Sequence, residues 1–145
     1  MDISFYFLKT ESFLKTIARL IEKAYASQAR MVVFDGIQER LEEIDKVLWT
    51  FSTDAFIPHG SKELEHETLQ AVWLTDKPEN PNNSTILLLI NDFDVQSWAD
   101  LGFSRVLIAF SDELRKKADS EFDRLKKESH SVTYWSQTDK GWDKR

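Results

Sequence analysis

The 145-residue sequence has no cysteine, only four glycines and three prolines, and no unbroken apolar run longer than five residues. Each shortage removes a class of protein. Without cysteine there is no thiol nucleophile, iron–sulfur cluster, thiolate zinc site or disulfide scaffold. The longest apolar runs, residues 86–90 and 106–110, fall far short of the roughly 18 residues that a membrane-spanning helix needs. Met1-Asp2-Ile3-Ser4 opens with an acid and leads into a strand-like stretch, without the basic, apolar and small-residue regions of a secretion signal. The expectation is a cytoplasmic protein with no membrane partner. Positive charge is also short, with 19 Lys and Arg against 25 Asp and Glu and a net charge of −6. That balance argues against a surface that binds nucleic acid throughout, and leaves any such contact local or indirect.

What is present suffices for a core, since a chain of this length buries roughly two-thirds of its unfolded surface. Short apolar runs alternate with longer segments of helical period, the pattern of an α/β fold with a mainly parallel sheet. Residues 3–8 read as a strand. Phe13, Ile17, Leu20, Ile21 and Ala24 then mark one face of a helix, with Ser12 or Thr10 as its cap. Residues 30–34 form a second strand, Asp35-Gly36 a turn, and Ile37, Leu41, Ile44, Val47 and Leu48 a second helix. Residues 51–60 read as a loop, 72–74 as a short strand, and 77–83 as a turn-rich connection. Residues 85–90 and 105–110 are two further strands, the first apolar at every position as a strand covered on both faces is. Ser111 caps a long helix whose face is Leu114, Ala118, Phe122 and Leu125, and Val132-Thr133-Tyr134-Trp135 begins a last strand followed by a polar end. No boundary divides the chain, so residues 1–145 are expected to form a single domain.

An α/β sheet invites a nucleotide-binding reading, and the turn after the first strand tests it. That turn is Lys9-Thr10-Glu11-Ser12. It has no glycine to let the backbone approach a pyrophosphate, and Glu11 repels one. Asp35 stands where dinucleotide folds place a ribose-binding acid, but without the glycines it reads as a turn and cap residue. Asp92 and Asp94 lie just beyond a strand end, where two carboxylates could hold Mg²⁺ for phosphoryl transfer or nuclease chemistry, with His59 as a further group. The competing reading of Asp92-Phe93-Asp94 is a solvated turn. His59 and His66 lack the spacing of a zinc site, His130 reads as a helix-end residue facing the dipole, and no Ser sits in a G-x-S-x-G elbow. The expectation is therefore no catalytic residue, no metal and no cofactor.

Five Trp and ten Phe exceed what one core of this size needs. Large apolar side chains run through the loop at residues 48–60, either as a packed cap or as anchors for a partner. The segment 115–127 carries six cations, Arg115, Lys116, Lys117, Arg124, Lys126 and Lys127, against Asp119, Glu121 and Asp123. Such a helix is either a solvated face or, beside apolar Phe122 and Ile108, a site for an acidic peptide ending in a hydrophobic residue. A third use, direct single-stranded DNA binding through Trp135 and the basic helix, conflicts with the acidic total.

At Leu48-Trp49-x-Phe51-x-x-Asp54-x-Phe56-Ile57-Pro58-His59-Gly60, at Asn80-Pro81-Asn82, in the strand with Arg105-Val106, and at Val132-Thr133-Tyr134-Trp135, the sequence resembles the chi subunit of bacterial DNA polymerase III holoenzyme. The resemblance runs along nearly the whole chain. It implies a non-enzymatic accessory protein of the clamp-loader complex, with a three-layer, Rossmann-like α/β fold that lacks a nucleotide site. It implies two partner surfaces. Trp49, Phe56, Ile57, Pro58 and His59 would hold the psi subunit or a helicase-like protein. The acidic, Phe-ended C-terminal tail of single-stranded DNA-binding protein would meet Phe122, the apolar wall Ile108 and the cation Arg115. Two further basic positions of the family fall on Asp119 and Asp123, which leaves Lys116, Arg124 and Lys126 to substitute.

Overall fold

The computed structural model describes residues 1–50, 59–61, 71–128 and 130–145. Its strands are β1 (Asp2–Phe7), β2 (Met31–Phe34), β3 (His59–Ser61), β4 (Val72–Thr75), β5 (Ile86–Ile90), β6 (Arg105–Phe110), β7 (Ser131–Thr138) and β8 (Gly141–Lys144), with helices α1 (Phe13–Ala26), α2 (Gln38–Thr50) and α3 (Arg115–Lys127). The eight strands form one sheet in the order β3-β4-β2-β5-β6-β1-β7-β8. Every neighbouring pair is parallel except β7 and β8. The chain steps from β1 across two strand positions to β2, and β5 and β6 later fill that gap. It then returns past β1 to β7.

Helices cover both faces, which gives the three layers. Ile17, Ile21 and Ala24 of α1 and Leu41, Ile44 and Leu48 of α2 pack on Met31, Val33, Leu88 and Leu107 on one face. Ala118, Phe122 and Leu125 of α3, with Val95 and Trp98 of a short 3₁₀ turn, pack on Phe5, Val32, Leu87, Leu89 and Ile108 on the other. Alternate residues of β2 and β5 thus serve opposite cores, and this is why both runs are apolar throughout. Each fully buried Leu, Ile or Phe contributes about 1.5–3 kcal/mol.

The second core absorbs the aromatics that the composition leaves over. Phe5 stacks on Phe93 and Tyr134, with ring centres 5.9 Å away in both cases, and meets Phe122 edge-on at 5.7 Å. Trp73, Trp98, Phe103 and Phe110 are buried as well. Most of the described Phe and Trp residues are therefore structural, contrary to the expectation of a surplus.

Other differences are local. Neither Ser12 nor Ser111 makes a side-chain capping bond, because a 3₁₀ turn precedes α1 (Thr10–Ser12) and another precedes α3 (Asp112–Leu114). The expected loop at 51–60 ends in strand: His59, Gly60 and Ser61 pair with β4. The polar end after β7 turns back as β8, pairing Trp135 with Lys144 and Gln137 with Trp142. Among the described residues no helix is long and apolar enough to cross a membrane.

Candidate protein-interaction surface

The α3 helix sorts its charges by its own geometry. At 100° per residue, Ala118, Phe122 and Leu125 share the buried face, while Arg115, Asp119 and Lys126 line the flank beside β7 and β8. Lys117, Glu121 and Arg124 line the opposite flank, and Lys116, Asp123 and Lys127 point outward.

The flank beside β7 brings three expected residues together with a fourth behind them. The Arg115 guanidinium lies 4.5 Å from the centre of the Phe7 ring, and the Lys126 amine lies 5.5 Å from that of Phe122. Phe122 is 5% exposed and Ile108 wholly buried. Little of Phe122 is therefore open to solvent, and Ile108 supports the rings from the sheet without reaching the surface. Edge-on contacts to Phe5 and to Tyr134, at 5.7 and 5.4 Å, fix the Phe122 ring.

Two residues here escape the sequence reading. Tyr134 of β7 lies in the ring cluster, and burial together with the neighbouring Asp119 carboxylate pushes its phenol up to about 12. Its hydroxyl faces Asp119 without a hydrogen bond of normal geometry. Arg145, immediately after β8, places its guanidinium 4.0 Å from the centre of the Tyr134 ring and 6.0 Å from that of Phe122. Its Nη1 donates to Asp119 Oδ1 at 3.1 Å, and its backbone N–H donates to the Tyr134 carbonyl at 2.8 Å. The alternation of Val132, Thr133, Tyr134 and Trp135 was the available signal for Tyr134; nothing local marked Arg145.

The structure separates Lys116 and Arg124 from this group. Lys116 is exposed on the outward face. Arg124 bridges Glu121 at 2.6 Å and Glu128 at 3.1 Å, and the hydrogen bond to Glu121 raises its already high pKa. It borders a polar cavity of about 340 Å³ with Asn91, Asp92, Phe93, Asp94, Lys117 and Glu121.

The carboxylates beyond β5 serve the chain itself. Asp92 Oδ1 accepts from the Asp94 N–H at 2.7 Å, while Asp94 accepts from the Ser97 N–H at 3.3 Å and from its hydroxyl at 2.5 Å. This is the turn reading of Asp92-Phe93-Asp94, with Asp94 capping the 3₁₀ turn. Among the described residues no group of three or more His, Asp or Glu is placed to hold a metal ion. Asp35 accepts from the Ile37 N–H at 3.0 Å, as a turn residue does. It is 2% exposed, and burial raises its pKa although Arg40 Nε approaches to 3.3 Å.

The other expected surface falls largely outside the described residues. Phe56, Ile57 and Pro58 are outside the described residues, as is His66. Trp49 falls near the end of α2 and His59 opens β3, and their side chains are also outside what is described. Asn80 of the Asn80-Pro81-Asn82 motif has a structural task. It donates to the Ser84 and Leu101 carbonyls, both at 2.9 Å, and accepts from the Ser84 N–H at 2.7 Å, tying the approach to β5 to that of β6.

Comparison with known proteins gives this arrangement relatives. Over 94 residues the chain is 41% identical to the probable DNA polymerase III subunit chi of Rickettsia prowazekii, covering 65% of this chain and 57% of that protein. Over 78 residues it is 33% identical to the DNA polymerase III subunit chi of Pseudomonas aeruginosa, covering 54% and 52%. The match thus spans a little over half the length of these curated relatives. The family model described as DNA polymerase III chi subunit, HolC, matches residues 1–133, from before β1 into β7. That span takes in all of the first core, the second except Tyr134, and all of α3, so the chain belongs to the DNA polymerase III chi subunit family.

Proposed function

We propose that this protein is a non-enzymatic adaptor of the DNA polymerase III clamp-loader complex in DNA replication, working in the cytoplasm as one domain. It links the replicase to single-stranded DNA-binding protein. One surface, around Trp49, Phe56, Ile57, Pro58 and His59, docks on psi or on a helicase-like partner. The other, on the β7 flank of α3, takes the acidic, Phe-ended tail and so touches nucleic acid only indirectly. The observation that carries the reading is the family match over residues 1–133. The geometry of α3 supports it: Arg115 covers Phe7 at one end of the aromatic cluster and Lys126 covers Phe122 at the other. Cations of this kind steer and hold carboxylates while the rings meet an apolar side chain. Lys116 and Arg124 add to the field around the helix rather than to the contact. A single tail engages weakly on so shallow a surface, and several tails on coated DNA supply the strength by avidity.

The test is fluorescence polarisation with a labelled acidic peptide ending in Asp-Asp-x-Pro-Phe, alongside a control without the final Phe, at two salt concentrations. Binding that requires the Phe and weakens with salt supports the adaptor. Arg115→Glu weakens it further, whereas Trp49→Ala spares it and disrupts only the replicase-side complex. Equal binding of both peptides removes the reading.

A further inference from the structure

The family match ends at residue 133, eight residues short of β8. The terminal hairpin nevertheless brings Arg145 onto the same aromatic cluster that α3 borders. Three features fix it there. The backbone N–H of Arg145 is hydrogen-bonded to Tyr134, the guanidinium stacks on the Tyr134 ring, and one guanidinium nitrogen is paired with Asp119. The side chain is still 49% exposed, and a guanidinium has five N–H donors, only one of which bonds to Asp119. Asp119 occupies the middle of the stripe between Arg115 and Phe122, where a carboxylate opposes an acidic ligand. Arg145 offsets that charge at the point where it arises.

Resting on the proposed tail-binding role, we infer that Arg145 is a ligand-binding cation of that surface, supplied by the terminal hairpin, with Asp119 as its built-in competitor. An incoming carboxylate takes the guanidinium donors that Asp119 leaves free and displaces Asp119 from the one it holds. The planar guanidinium suits a terminal carboxylate, which it can grip with two parallel hydrogen bonds. Asp119 is then a specificity device: a ligand with one weakly placed carboxylate does not outcompete it, and a ligand with several does.

The experiment uses the full chain and the same labelled peptide. Arg145→Ala is expected to weaken binding about five- to tenfold, the loss typical of one charge-assisted contact. Arg145→Lys keeps part of the affinity. Lys140→Ala, which removes the same charge from the same hairpin away from the rings, leaves affinity unchanged. Asp119→Asn tightens binding several-fold in the parent chain, because it removes both the competitor for the guanidinium and a charge that opposes an acidic ligand. Urea unfolding of each variant checks that its fold is intact. Equal or tighter binding by Arg145→Ala, with Phe122→Leu still impaired, overturns the role of Arg145 and leaves the adaptor reading standing. No binding by the parent chain at all refutes the adaptor reading itself, and the inference falls with it.

Discussion

Replacing Phe122 tests core and surface at once, and the two effects can be separated. The ring is 5% exposed and held edge-on between Phe5 and Tyr134. Phe122→Ala therefore costs about 3–5 kcal/mol of stability, the usual price of deleting a buried Phe. Against a total of about 5–15 kcal/mol for a domain of this kind, the variant is folded but weakened. Phe122→Leu keeps most of the apolar volume and loses the two edge contacts, each about 0.5–1.5 kcal/mol, so it costs about 1–3 kcal/mol. Both variants take away the ring that Lys126 and Arg145 approach. Little of Phe122 is open to a ligand, so the expected loss of peptide affinity in Phe122→Leu is modest, about three- to tenfold. Urea unfolding gives the stability and fluorescence polarisation on the folded variant gives the affinity. A Phe122→Leu protein that is folded and binds the peptide as tightly as the parent would refute the pocket, leaving Phe122 as a core residue alone. A Phe122→Ala protein destabilised by less than about 1 kcal/mol would refute the packing argument instead.

Two further predictions concern the scaffold. Asn80→Ala removes three hydrogen bonds, at about 1 kcal/mol each, and should lower the melting temperature by about 6–12 °C. Asn80→Asp should be worse at neutral pH, because its carboxylate faces the two carbonyls that the amide served; a thermal scan showing Asn80→Asp as stable as the parent would contradict this. Burial raises the pKa of Asp35 above its unfolded value of 3.8, so between those two values the unfolded chain binds fewer protons and stability falls as pH rises. Asp35→Asn keeps an acceptor for the Ile37 N–H, removes the buried charge, and should lose that pH dependence while being at least as stable at pH 7. Urea midpoints from pH 4 to 7 check it, and a loss above about 1 kcal/mol at pH 7 would mean that the Arg40 pair outweighs the burial.

Much of the layering was legible because period carries it. The alternation of strand and helix patterns, the fully apolar residues 86–90, and the stripe of Ala118, Phe122 and Leu125 each state which face is covered. Strand order was not legible, since nothing local says that the chain leaves two places between β1 and β2. β8 was missed because Gly141-Trp142-Asp143-Lys144 is short and mostly polar, with one apolar ring, Trp142, that meets Tyr6 edge-on at 5.5 Å; its pairing with β7 is set by backbone hydrogen bonds, which leave no periodic trace. The placement of Arg145 against Tyr134 was hidden with it. The excess of aromatics misled for a related reason: counting rings says nothing about how many can stack on one another, and Phe5 alone touches four.

Open parallel sheets usually place ligands at the carboxyl ends of their strands, where successive connections leave for opposite faces. In this chain the ends of β2 and β1 are occupied by protein groups, and the polar cavity of about 340 Å³ opens beyond β5. Beside β2 the crevice holds the Asp35 turn and Phe34, packed edge-on against Trp98 at 5.2 Å. Beside β1 it holds Phe7, tilted against Phe110 at 5.8 Å and covered by Arg115. The aromatic core thus reaches the strand ends, and on the β7 flank of α3 its rings are covered by the cations Arg115, Lys126 and Arg145. A site on a helix flank is shallow, so its affinity rests on charge and on number rather than on enclosure. The salt dependence of peptide binding should accordingly be steep and should track Arg115, Lys126 and Arg145. If all three can be neutralised without changing the slope, the binding energy comes from another surface of the molecule.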